Sequence, residues 1–191
     1  MKKIVKAFKD SAKEFKNTRS LAVIAMFLAL AVILGFFAVQ LTESLKISFA
    51  FLANELTGML FGPFVGLIEG GAADILKYIV KPTGPFFPGF TISGMLSGMI
   101  YGLVLYKKPV SLKRIIIANS IVTVFVNMLL NTYWLTLLYG KGFTVILPAR
   151  IIKEAILLPI DIALFYLVSK ALEKTNVFKA FRPGIEKAPT V

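Results

Sequence analysis

Within one uncharged run, Asn119, Thr123, Asn127, Asn131 and Trp134 recur at i, i+4, i+8, i+12 and i+15. On an α-helix these positions share an arc of about 120°, one continuous polar stripe in an otherwise apolar segment. Inside a bilayer each such side chain costs free energy unless it faces protein or water, so the stripe must face inward. Asn119 and Thr123 read as hydrogen-bonding glue between helices. Asn127, Asn131 and Trp134 read as a ligand site. An amide pair beside the chain's single tryptophan suits a flat heteroaromatic ring with donors and acceptors on its edge.

A second group carries charge. Arg150, Lys153, Glu154 and Asp161 share one helical face, on a helix expected to open at Pro148. Asp74, Lys77 and Lys81 form another stripe, with Tyr78 beside it. Two basic clusters accompanied by carboxylates thus converge on one mouth. For the lysines, ion pairing of Asp74 with Lys77 and of Lys153 with Glu154, together with snorkelling to headgroups, competes with ligand binding. Arg150 reads as functional, because its rigid fork grips a carboxylate with two parallel hydrogen bonds. Glu55 and Asp161 sit deeper and either pair with these bases or meet the ligand. Glu69 faces away from the Asp74 stripe and reads as a structural or inner-surface carboxylate.

The elements that must position these residues are membrane helices. Of 191 residues, 57% are hydrophobic and only 17% charged, with a mean hydropathy of +0.80, so most of the apolar surface must face lipid. The chain has no cysteine and no histidine, which removes thiolate nucleophiles, disulfides, imidazole bases and the common metal sites. No cofactor or metal is expected. Spans are expected at about 21–39, 49–61, 64–80, 90–106, 114–138 and 150–172, with a Gly62-Pro63 break dividing the second from the third. The net charge of +12 does not signal nucleic acid, because the basic residues lie in the gaps between apolar runs. Only Lys46, Lys77, Lys81, Lys141, Arg150 and Lys153 of the 22 basic residues fall in or near the outer half. That bias places both termini in the cytoplasm and calls for an even number of spans.

The expected organisation is an all-α six-helix membrane domain over 21–172. A basic amphipathic segment over 1–20 precedes it, lying on the cytoplasmic surface and held by anionic lipid or a partner. A cytoplasmic tail over 173–191 follows. Loops at 40–48, extended towards Phe49, and at 81–89 are either gates or plain connectors. Gly94, Gly98 and Gly102 form a GxxxGxxxG run for close helix packing, and Ala22, Ala25 and Ala29 offer a flat face to a partner's helix. No phosphate-binding loop, nucleotide fingerprint or internal repeat is evident. A small membrane receptor that borrows another subunit's energy fits these absences.

The chain resembles the substrate-binding S components of energy-coupling factor (ECF) transporters, and within them the folate-specific FolT family. The likeness is carried by Ala25-x-x-x-Ala29, by PFFPGFTISGMLSGMIYGLVLYKK over 85–108, and by LLNTYWLTLLYGKGF followed by LPARIIK over 129–153. It implies a high-affinity folate receptor in a bacterial plasma membrane. Such receptors associate with a transmembrane coupling subunit and two ATPases, with the alanine face contacting the coupling subunit. The implied mechanism is toppling, in which the receptor rotates within the bilayer. The implied site lies in the outer half, between the last three spans and the first and third loops. It would set the pterin against Trp134, with Asn127 and Asn131 or a carboxylate reading its edge. The glutamate tail would lie near Arg150, Lys153 and Lys77 or Lys81. Phe49, Phe90 and Ser93 would be wall residues, and Asp74, Tyr78 and Glu55 complete the expected set. The rival readings are an S component for riboflavin, thiamin or a pyrimidine precursor, and more distantly an intramembrane enzyme or channel.

Overall fold

A computed structural model describes residues 2–42, 45–82, 84–175 and 181, so most of the expected tail and parts of both loops lie outside the described residues. The chain begins with α1 (Lys2–Lys13), continues through a short 3-10 turn, and enters α2 (Thr18–Phe36). Asn17 caps α2 by accepting from the Arg19 N–H at 3.0 Å. A small antiparallel hairpin follows, β1 (Val39–Thr42) and β2 (Leu45–Ile47), pairing Val39 with Ile47 and Gln40 with Lys46. This hairpin departs from an all-α chain. It bears out the extended geometry expected at the end of that loop.

Next come α3 (Phe51–Phe61), α4 (Pro63–Val80) and α5 (Pro88–Leu105). Both α4 and α5 start with proline in the first turn, where its missing N–H costs nothing. The segment Leu112–Tyr139 is one helical rod in three parts: α6 (Leu112–Ile121), a π-helical stretch (Val122–Leu130) and α7 (Asn131–Tyr139). Gly140, with φ of 66°, ends α7 in the left-handed region that a residue with a Cβ enters at a cost. Finally α8 (Phe143–Glu173) runs for 31 residues. It starts seven residues before the expected boundary at 150, so Pro148 does not open it but lies inside it, as does Pro159. The turn at Gly140 lets the chain nucleate the helix early. A proline within a membrane helix is tolerated because neighbours satisfy the freed carbonyl. Among the described residues three helices are, by length and composition, long and apolar enough to cross a membrane: Thr18–Phe36, Pro88–Leu105 and Leu112–Tyr139.

The core is a glycine seam between α4 and α5. A Cβ on Gly66 or Gly70 would collide with the backbone of Gly98 or Gly94 respectively, and one on Gly102 would collide with Gly62 and Pro63. Two GxxxGxxxG runs, Gly62-Gly66-Gly70 and Gly94-Gly98-Gly102, therefore face each other antiparallel. Around this seam Leu60, Phe61, Val65, Tyr101, Ile115 and Phe165 are buried together.

At one end of the bundle α1 is fastened to the turn between α3 and α4. Gly62 (φ 93°) precedes Pro63 and has no side chain with which to cap α4. Ser11 supplies the cap from a distance. Its Oγ donates to the Phe61 carbonyl (2.7 Å) and accepts from the N–H groups of Phe64 (3.1 Å) and Val65 (3.0 Å). Lys107, just beyond α5, donates to Asp10 at 2.8 Å. That ammonium holds the Asp10 carboxyl below its ordinary range.

Candidate ligand-binding site

At the opposite end from α1 a cavity of about 410 Å³ opens between α3, α4, α5, the Leu112–Tyr139 rod and α8. Its volume lies within the range of small-molecule sites, about 300–1,000 Å³. The end of the hairpin, Ile47 to Phe49, and the loop residues Pro85 to Phe87 form its rim. Ten of the twelve expected ligand residues line it: Phe49, Asp74, Lys77, Tyr78, Phe90, Ser93, Asn127, Asn131, Arg150 and Lys153. Residues from sequence positions 49 to 153 thus meet around one space, which is the outcome the two basic clusters and the polar stripe require.

The amides form a chain. Asn131 Nδ2 donates to Asn127 Oδ1 at 3.4 Å, and Asn127 Nδ2 reaches Glu154 Oε2 at 3.5 Å. The other oxygen of Glu154 accepts from Lys153 Nζ at 3.0 Å, the ion pair anticipated for these two. Arg150 is 6% exposed, and its Nη2 donates to the Asn127 carbonyl at 2.8 Å. One guanidinium arm is thereby tied to the backbone that carries the amide stripe. Asp74 accepts from Thr91 Oγ1 on α5 at 2.8 Å. Lys81 Nζ, at the rim, donates to the Phe36 carbonyl at 2.8 Å and so caps the end of α2. Four cations, Lys77, Lys81, Arg150 and Lys153, share the lining with three carboxylates, Asp74, Glu154 and Asp161. An elongated ligand with anionic and hydrogen-bonding ends matches such a lining.

Two expected residues fall elsewhere. Trp134 does not line the cavity. It lies behind the wall, its Nε1 donating to Ser93 Oγ at 3.1 Å and its ring 5.8 Å from that of Phe87. The π winding over Val122–Leu130 sets Asn127 and Asn131 nearly in line on the cavity side, and Trp134, three α-helical residues beyond Asn131, lies roughly 60° to one side of that line. Glu55 is fully buried on α3, facing Tyr101 and Asn119, and does not line the cavity either.

The lining includes groups that the sequence reading left out of the ligand set. Glu154 is 3% exposed and joins Lys153 to Asn127. Its spacing of four from Arg150 was the available signal. Tyr101, whose hydroxyl donates to Asn119 Oδ1 at 3.2 Å, and Asn54 also line the cavity, and no periodic pattern marks either. An aromatic wall, Tyr78 against Phe86 at 5.1 Å and Phe87 against Phe90 at 6.0 Å, closes the rim side. On the outside of the bundle, Ala22, Ala25 and Ala29 are all exposed along α2, as a docking face requires.

Comparison with known proteins gives a consistent picture. The family model "ECF transporter, substrate-specific component" matches residues 19–169. The "Folate transporter FolT" of Clostridium novyi (strain NT) is 35% identical over 162 residues, covering 85% of this chain and 94% of the relative. The protein of the same name from Leuconostoc mesenteroides is 31% identical over 156 residues, covering 78% and 84%. A solved structure titled "Crystal structure of FolT bound with folic acid" superposes with a TM-score of 0.76 at 37% identity, covering 81% of this chain and 95% of that one.

Proposed function

The chain belongs to the substrate-specific components of ECF transporters, and from that membership we propose that it is a membrane receptor for folate. It captures the vitamin outside the cell and passes it to a transmembrane coupling subunit driven by two ATPases. In this reading α2, α3, α4, α5, the Leu112–Tyr139 rod and α8 are six crossings of a bacterial plasma membrane. Both termini are cytoplasmic, and the cavity opens outward. The exposed alanines of α2 meet the coupling subunit, and the bundle topples in the bilayer to bring its loaded cavity inward.

The observation that carries the ligand assignment is the union of the amide chain and four cations in one cavity. Folate has a flat pterin with an amide-like edge at one end and two carboxylates at the other. The glutamate end meets Arg150 and Lys153, with Lys77 and Lys81 towards the rim. The pterin lies among the aromatic wall residues Phe49, Phe90 and Tyr78, its edge read by Asn127 and Asn131 with a carboxylate such as Glu154 or Asp74. Trp134 supports this wall through Ser93 and does not stack on the ring.

The test is a comparison of two ligands on one variant. A charge-assisted hydrogen bond contributes about 1.5–3 kcal/mol, so Arg150→Ala should weaken folate by roughly 10- to 160-fold. Pteroate, which lacks the glutamate, should lose much less. Because Arg150 also holds the Asn127 carbonyl, any general damage to the pocket affects both ligands and cancels in the ratio. Equal losses for both would sink the assignment of Arg150 to the tail. Tight binding of thiamin or riboflavin instead of folate by the unaltered protein would move the receptor to another vitamin.

A further inference from the structure

Nothing in the ligand site uses α1, yet this helix is built with unusual care. Its apolar arc runs through Ile4, Val5, Ala7, Phe8, Ser11 and Ala12, and its lysines occupy the opposite arc. At the C-terminal end the apolar arc is anchored: Ser11 is fully buried on the α3–α4 turn and Asp10 is held by Lys107. Towards the N-terminus the same arc rises out of the bundle, with Ile4 53% and Val5 52% exposed. Lys2, Lys3, Lys6, Lys9 and Lys13 are all exposed along the other side. The carboxylates nearby are engaged, Asp10 by Lys107 and Glu14 by the Ser20 hydroxyl at 2.6 Å. Lys107, Lys108, Lys113 and Arg114 add positive charge at the same end of the bundle.

An apolar edge continuous with the bundle and flanked by five exposed lysines, of which Lys13 also pairs with Asp10 at 3.8 Å, is complementary to one surface above others. That surface is a bilayer boundary, with acyl chains for Ile4 and Val5 and phosphates for the lysines. We infer that α1 is a binding site for anionic phospholipid, clipped rigidly to the bundle through Ser11 and Asp10. Because the clip ties α1 to α4 and α5, headgroups bound along the lysines fix the tilt of the cavity-forming helices relative to the membrane plane. A receptor that must change its tilt to deliver its ligand would have to release this contact. That last consequence rests on the proposed toppling, while the lipid site itself does not.

The absence of cysteine makes the experiment direct. The full chain carrying Val5→Cys is labelled with an environment-sensitive fluorophore and placed in nanodiscs of phosphatidylcholine, with or without phosphatidylglycerol. Collisional quenching by acrylamide, a neutral quencher, should fall several-fold when phosphatidylglycerol is present. The fall should vanish when Lys2, Lys3, Lys6 and Lys9 are also changed to glutamine. Folate binding by each sample reports that the bundle is folded, since none of these residues lies near the cavity. Equal quenching in the two lipid mixtures would overturn the inference. So would protection that appears only after the coupling and ATPase subunits are added, which would make a protein the partner of α1. Loss of folate binding in the unaltered protein would count against the receptor reading and leave the lipid result standing.

Discussion

Replacing Gly98 by alanine tests the seam on which the cavity depends. A Cβ at this position would fall inside the contact distance of the Gly66 carbonyl and lie 2.6 Å from Asn54 Oδ1. Both neighbours belong to other helices, and the Gly66 atoms are backbone, so no rotamer change relieves that clash. Relief requires α4 and α5 to part by something on the order of an ångström, and overpacking of this kind costs about 1–3 kcal/mol. For a chain of this size that corresponds to a fall of roughly 2–12 °C in the unfolding midpoint. The parting helices carry Asp74 and Lys77 on one side of the cavity and Phe90 and Ser93 on the other. Folate affinity should therefore fall with stability. The assay is thermal unfolding of the detergent-purified protein, with and without folate, beside two comparisons. Gly142→Ala places its Cβ no closer than 3.7 Å to any neighbour and should leave the midpoint nearly unchanged. Gly66→Ala opens the same seam from the other side, so the Gly66→Ala, Gly98→Ala pair should cost less than the sum of the single changes. A Gly98→Ala protein with unaltered midpoint and affinity would refute the close-packed α4–α5 register.

Other consequences concern single contacts. Ser11→Ala removes a donor to the Phe61 carbonyl and the acceptor for two α4 N–H groups. A loss of about 1–2 kcal/mol is expected, together with faster proteolysis within residues 1–13; an unchanged digestion pattern would show that Ser11 does not hold α1. The docking of α1 should also depend on pH. Asp10 has its folded pKa lowered by Lys107, so its contribution is present above the ordinary carboxylate range and lost as pH falls below about 4. Lys107→Gln should weaken that acid dependence in the same proteolysis assay, leaving the smaller part due to Lys13 and Lys6. Trp134→Phe deprives Ser93 of its donor without removing a cavity wall, so folate affinity should fall by about 2- to 13-fold. A loss above a hundredfold would mean that the indole touches the ligand.

What the sequence determined by itself were properties that depend on each segment's own exchange between water, lipid and protein. Apolar length, the gaps that collect lysine, and polar residues at helical spacing are local quantities, and they add along the chain. They gave the helices close to their boundaries except at the start of α8, the inward stripe of Asn127 and Asn131, and the meeting of Asp74, Lys77, Arg150 and Lys153 at one mouth. Tertiary structure decided whatever depends on which neighbour a group finds. Asp74 meets Thr91 on α5, where spacing along α4 had suggested Lys77. Ser11 caps a helix that begins 52 residues later because the fold sets α1 against a glycine that cannot cap itself. The run Gly94-Gly98-Gly102 is visible in the sequence, but only packing reveals Gly62-Gly66-Gly70 as its antiparallel counterpart. Trp134 shows the difference most clearly. Its distance along the chain from Asn119 is fixed, whereas its direction relative to that residue depends on the winding of the nine residues between Val122 and Leu130, whose hydrogen bonds can close at i+4 or i+5. The i+5 closure is the rarer one, so local propensity alone would not select it. The packing around the rod therefore chooses between them, and with that choice it decides which side chains face the ligand.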